Sequence, residues 1–87
     1  MKSRATPSFW RALRGLSQTD QHAAKLAYKR FMDDTRHNSL RFKPLEGEEG
    51  LWSVRVTLSV RAVGCREGDT ITWVWIGTHA EFDRRFG

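Results

Sequence analysis

Leu51-Trp52-Ser53-Val54-Arg55-Val56-Thr57, then Val60-Arg61-Ala62-Val63, then Ile71-Thr72-Trp73-Val74-Trp75-Ile76: three runs follow one another with little between them. Each alternates in the period-two manner of a β-strand. Leu58-Ser59 joins the first two, and Glu67-Gly68-Asp69 precedes the third. Connections this short predict an antiparallel meander. The first run places Trp52, Val54 and Val56 on one face and Ser53, Arg55 and Thr57 on the other. The second groups Arg61, Val63 and Cys65 against Val60, Ala62 and Gly64. The third sets Ile71, Trp73 and Trp75 against Thr72, Val74 and Ile76. Arginines therefore stand inside apolar strands, and His79 follows where the last strand gives out at Gly77-Thr78. An unpaired buried cation is costly, so such charges point to a bound anion. In a basic protein the first candidate is phosphate.

Upstream the period changes to that of helices. Thr6-Pro7 reads as an N-cap followed by proline at the first helical position, with Phe9, Ala12, Leu13 and Leu16 at helical spacing. Ser17 offers a second cap, with Asp20 three residues on. A longer helix is expected from about Gln18 to Asp34, with Ala24, Ala27, Tyr28 and Phe31 as its apolar stripe and Lys25 and Lys29 on another face. Arg36 to Ser39 reads as a polar loop. Leu40 to Leu45 alternates like a strand, with Arg41 and Lys43 on one face and Pro44 marking an edge position. Ala80 to Phe86 suits one or two helical turns.

The expected architecture is a two-layer α+β domain spanning residues 1–87. An N-terminal helical hairpin covers one face of a three- to four-stranded antiparallel sheet, and a short C-terminal helix follows. The other face is expected to stay open and carry the strand cations.

Composition narrows the function. The chain has 87 residues, a net charge of +5 and a pI near 10.1. Through Leu45 the charge is net +7, and from Glu46 onward it is net −2. Arginine outnumbers lysine, which favours forked contacts to phosphate or carboxylate. Four Trp and five Phe supply large buried areas to a small core. No run is long enough to cross a membrane, and no apolar signal segment is present. One cysteine, Cys65, excludes an internal disulfide, and the three histidines show no metal-ligand spacing. No cofactor, metal or membrane partner is expected, and the reading is cytoplasmic.

Arg41, Lys43, Arg55, Arg61 and His79 are the residues expected to converge on the open face. RNA cleavage by the 2′-hydroxyl needs such a set. One group takes the 2′ proton, cations stabilise the phosphorane, and an acid protonates the leaving 5′ oxygen. Histidine suits the proton transfers, since its ordinary pKa lies near 6.5. The bland alternatives stay open at this level: Arg55 paired with Glu81 or Asp83, and His79 serving only to cap the tail helix.

The order of elements and three loose motifs resemble the RelE/ParE superfamily of bacterial toxins from type II toxin–antitoxin pairs. The motifs are Leu45-Glu46-Gly47, the Val54-Arg55-Val56 and Val60-Arg61-Ala62-Val63 strand pair, and the ending Ile76-Gly77-Thr78-His79 with Phe82. The resemblance implies a cytosolic toxin held by a cognate antitoxin. In one branch the activity is mRNA cleavage at the ribosome; in the ParE branch it is inhibition of DNA gyrase without nuclease activity. A third outcome is an inactive homologue that only binds antitoxin. Carried over residue by residue, the resemblance assigns catalysis to His79, Arg61 and Arg55. Lys43, Arg41, Lys25, Lys29 and Phe82 would contact nucleic acid. Three departures stand out. Ser53 occupies half of a lysine pair found in RelE-type members, the only tyrosine is Tyr28 in a helix, and Lys2 to Thr6 is too polar to read clearly as the usual first strand.

Overall fold

The computed structural model describes all of residues 1–87. Five strands form one sheet: β1 Lys2–Ala5, β2 Lys43–Pro44, β3 Leu51–Arg55, β4 Val60–Glu67 and β5 Thr70–Thr78, in the order β1-β5-β4-β3-β2. The helices are α1 Pro7–Arg14, α2 Gln18–Asp33 and α3 His79–Phe86. The expected α+β layering holds, and the antiparallel β3-β4-β5 meander is its centre.

Two strand expectations need correction. The polar N-terminus is a strand after all, pairing parallel to β5 from Lys2↔Thr70 to Ala5↔Trp73. Its stability is non-local: the Lys2 amide donates to the Asp69 carbonyl at 2.8 Å, and the Thr6 amide to that of Trp73 at 3.0 Å. As an edge strand it needs little apolar character, and the exposed Lys2 and Arg4 guard that edge. The second correction concerns Leu40 to Leu45. Asn38–Leu40 forms a 3₁₀ turn that drives Leu40 into the core, and Arg41 follows in the left-handed region at φ 47. Only Lys43 and Pro44 remain in the ladder, against Ser53 and Trp52. Pro44 at the sheet's edge agrees with its missing donor.

Caps set the helix starts as their residue types require. The Thr6 hydroxyl accepts from the Phe9 amide, and the Ser17 hydroxyl from the Asp20 amide. Both helices then turn their apolar stripes to one face of the sheet. Ala27 and Phe31 of α2 join Leu40, Val54, Val60, Ala62, Ile71, Trp73 and Ile76 in the core, and Phe9, Ala12 and Leu13 of α1 pack on it. Phe31 is the hub: its ring meets Phe42 at 5.0 Å and Trp73 at 5.3 Å, both edge to face.

A β-bulge changes which residues face the helices. The β4–β5 register runs Val63↔Trp75 and then Gly64↔Trp73, so Val74 has no partner. Trp73 therefore points to the helix side with Ile71, while Trp75 crosses to the other face, against the expected grouping. Gly64 permits this: a Cβ there would stand 2.7 Å from Ile71 Cγ1 and 2.9 Å from the Trp73 ring. On the far face Trp75 meets Phe86 at 5.3 Å and Phe82 at 6.3 Å, which docks α3. Part of the face expected to lie open is thus covered by α3.

Candidate nucleic-acid interface on the far sheet face

The end of β5 places the histidine. Thr78 caps α3: its hydroxyl accepts from the Glu81 amide at 3.1 Å, and the Glu81 carboxylate accepts from the Thr78 amide at 3.1 Å. This reciprocal capping box is Thr78-His79-Ala80-Glu81 in the sequence, with Thr78 and not His79 as the cap. Because Thr78 does the capping, His79 is released from that role. Its amide instead donates to the Ser59 carbonyl at 2.7 Å, tying the start of α3 to the β3–β4 turn.

That tie brings His79 beside β4. Arg61 Nε donates to His79 Nδ1 at 2.9 Å. The Arg61 guanidinium carbon lies 5.2 Å from the centre of the Phe82 ring, and the imidazole stacks on the same ring at 6.3 Å with planes 14° apart. Phe82 is itself buried, so it is a floor under Arg61 and His79 with little ring left for a base. The remaining ring nitrogen, His79 Nε2, lies 3.5 Å from Asp83 Oδ2, one helical turn along.

Arg55 stands directly across the ladder from Arg61. Like charges in that position repel. Arg55 Nε donates to the Ser39 carbonyl at 3.2 Å, which turns it toward the 3₁₀ segment. The protein's two ion pairs are Met1 with Asp69 and His79 with Asp83, so neither arginine is neutralised by a carboxylate. The alternative pairing of Arg55 with Glu81 or Asp83 is therefore absent: Glu81 is spent on the cap and Asp83 faces His79. Arg55 and Arg61 thus lie opposite one another in the ladder with no internal carboxylate as counter-ion.

The other sequence candidates divide by place. Lys43 pairs with Ser53 in the ladder and so shares the face of Arg55 and Arg61 from the β2 edge. Arg41 is exposed just before β2 and outside the ladder. Ser53 is fully buried and offers nothing to a ligand. Lys25 and Lys29 lie on the opposite side of the sheet. With Arg4 they rim an apolar groove of about 470 Å³ between α1 and α2, walled by Phe9, Trp10 and Tyr28 and floored by Val54, Ala62 and Ile76. Sequence reasoning missed Asp83 as a partner of His79. Its signal was the four-residue spacing on a helix.

The Glu81 carboxyl is held below the usual carboxylate range, first by the Thr78 amide and then by the Thr78 hydroxyl. A depressed folded value means that the cap's contribution is present above the ordinary carboxylate pKa and is lost as pH falls through the lowered one. Acidification is expected to expose the Thr78 amide to solvent exchange before the β4 and β5 amides. Amide exchange by NMR across the acid range measures this order.

A helix pair on one sheet face, with a third helix docked on the other, is the fold that this chain shares with solved RelE-type structures. The chain belongs to the ParE-like toxin domain family, whose model matches residues 18–84. Solved structures share the fold. The RelB–RelE antitoxin–toxin complex from Methanococcus jannaschii superposes with TM-score 0.76 at 15% identity, over 97% of this chain and 99% of that one. The DinJ–YafQ complex of E. coli gives 0.73 at 17%, over 99% and 98%. A YoeB/ParE toxin from Agrobacterium tumefaciens gives 0.68 at 20%, over 91% and 99%. No curated protein matches the chain.

Proposed function

We propose that this toxin is a metal-independent endoribonuclease that cuts mRNA in the cytoplasm, in association with the ribosome, with residues 1–87 acting as one domain. The observation that carries the reading is the Arg61 Nε to His79 Nδ1 contact at 2.9 Å, with Arg55 across the ladder and no carboxylate on either arginine. A scissile phosphate bridging Arg55 and Arg61 brings the adjoining 2′-hydroxyl to His79. The guanidinium groups then stabilise charge that grows on the phosphorane oxygens. His79 moves the proton. Lys43 and Arg41 hold the flanking backbone. Such phosphate contacts position the strand and make binding fall with salt.

The partner is a cognate antitoxin. Two of the similar structures are antitoxin–toxin complexes, RelB–RelE and DinJ–YafQ. The groove between α1 and α2, apolar within and rimmed by Arg4, Lys25 and Lys29, suits an amphipathic acidic segment.

The rival reading, inhibition of DNA gyrase, rests on the ParE name of the family model. Induced expression in bacteria separates the two. The nuclease produces new 5′ ends in translated messages. Intact messages together with DNA-damage signalling would establish the gyrase reading in its place.

A further inference from the structure

The two nitrogens of the His79 imidazole face groups of opposite charge. Arg61 Nε carries a proton and can only donate, so Nδ1, 2.9 Å away, is the unprotonated nitrogen. The proton of the neutral ring therefore sits on Nε2, the nitrogen 3.5 Å from Asp83 Oδ2. The Phe82 ring lies near-parallel to the imidazole, with centroids 6.3 Å apart. Asp83 has no other ion-pair partner, and its side chain is 60% exposed.

We infer that Asp83 is a positioning residue: once Arg61 has left Nδ1 it keeps His79 as the Nε2–H tautomer, so that Nδ1 is the base, and it stabilises the imidazolium that forms. The inference rests on the nuclease reading and adds how the base is set and released. In the free protein Arg61 occupies Nδ1. A phosphate is a stronger partner for a guanidinium than a neutral imidazole, because that bond is charge-assisted at both ends. Entry of the scissile phosphate draws Arg61 off Nδ1 and uncovers the base where the 2′-hydroxyl arrives. The 2′ proton passes to Nδ1, the 2′-oxygen to phosphorus bond forms, and the phosphorus to 5′-oxygen bond breaks. The leaving 5′ oxygen takes a proton from solvent water, and His79 later returns its own to solvent. The products are a 2′,3′-cyclic phosphate and a 5′-hydroxyl. While charged, the imidazolium has two N–H donors and repels Arg61, so the arginine stays with the phosphate. Asp83 remains opposite Nε2 throughout.

Asp83→Ala removes the acceptor and keeps a good helix former on an exposed site. Asp83→Asn keeps an acceptor and removes the charge. Nitrogen-detected NMR of the histidine rings reads the tautomer directly, and single-turnover cleavage of a ribosome-bound message reads the rate. Wild type is expected to show His79 as the Nε2–H form. Asp83→Ala is expected to lose about tenfold or more in the cleavage step, with little change in RNA affinity, and to show a mixed tautomer in the Arg61→Ala background, where no guanidinium donates to Nδ1. Asp83→Asn is expected to retain the tautomer and recover part of the rate. An Nδ1–H ring in wild type, or a tautomer that Asp83→Ala leaves unmoved in the Arg61→Ala background, overturns the assignment whatever the protein does to RNA. A wild type that leaves RNA intact overturns the nuclease reading, and the ring signals still judge Asp83.

Discussion

His79→Ala is expected to slow RNA cleavage by about 10²–10⁴, the usual worth of a placed acid–base group. Arg61→Ala is expected to cost about 10²–10³, as for loss of one donor to a developing oxyanion. Both variants are expected to stay folded and to relieve growth arrest. The physical grounds are that His79 is exposed at the start of α3, that Thr78 and Glu81 do the capping, and that Arg61 has no carboxylate partner to orphan. Because the two side chains share a hydrogen bond, their effects are expected not to add. Arg61→Lys is expected to restore little, since lysine keeps the charge and loses the fork and the Nε donor. Rates from single-turnover cleavage, set beside thermal unfolding of each variant and growth after induction, check these statements. Full activity in His79→Ala would remove the imidazole from the chemistry.

Phe31→Ala is expected to be the most damaging single truncation of the core. Its ring is 2% exposed and bridges α2 to Trp73 of the sheet and to Phe42 beside β2. Losing a buried phenyl typically costs about 3–5 kcal/mol through lost transfer energy and the cavity left behind. Stability of about 0.05–0.15 kcal/mol per residue gives a chain of this length only about 4–13 kcal/mol in total. The variant is therefore expected to unfold at far lower urea than wild type, and equilibrium urea titration followed by tryptophan fluorescence measures the difference. An unchanged midpoint would mean that the helix layer is held to the sheet by contacts other than this hub. Phe82→Ala, by contrast, is expected to disturb the floor beneath Arg61 and His79 more than the main core.

The helices and the three-stranded meander were readable because their signals are local. Thr6-Pro7 and Ser17 are caps whose geometry depends on the next three residues, and they sit where expected. The alternation in Leu51 to Arg55 and in Val60 to Cys65 survives in the structure because both strands are internal to the sheet. The features that escaped depend on partners far along the chain. Lys2 to Ala5 becomes a strand only because β5 offers an edge. The bulge at Val74 interrupts an alternation that is unbroken in the sequence, and its clue was the missing side chain at Gly64 on the neighbouring strand. Leu40 to Leu45 alternates, yet the 3₁₀ turn prevails because it seats Leu40 in the core.

The candidate site was legible in its cations and its imidazole, and opaque in what holds them. Arg55, Arg61 and His79 were named from residue type and strand position. Their supports are the Ser39 carbonyl, the Ser59 carbonyl, the Phe82 ring and the Asp83 carboxylate. Two of these are backbone groups that no residue type announces. The helix lysines, Lys25 and Lys29, were grouped with the nucleic-acid contacts on charge alone. They lie across the sheet from His79, where charge and apolar wall together suit a partner protein.

The most direct test of the account is the chemistry of the ends made when purified toxin meets ribosomes carrying a defined message, with a chelator present. Wild type is expected to leave 2′,3′-cyclic phosphate and 5′-hydroxyl ends, and His79→Ala none. Uncut message, or cleavage that survives in His79→Ala, would contradict it.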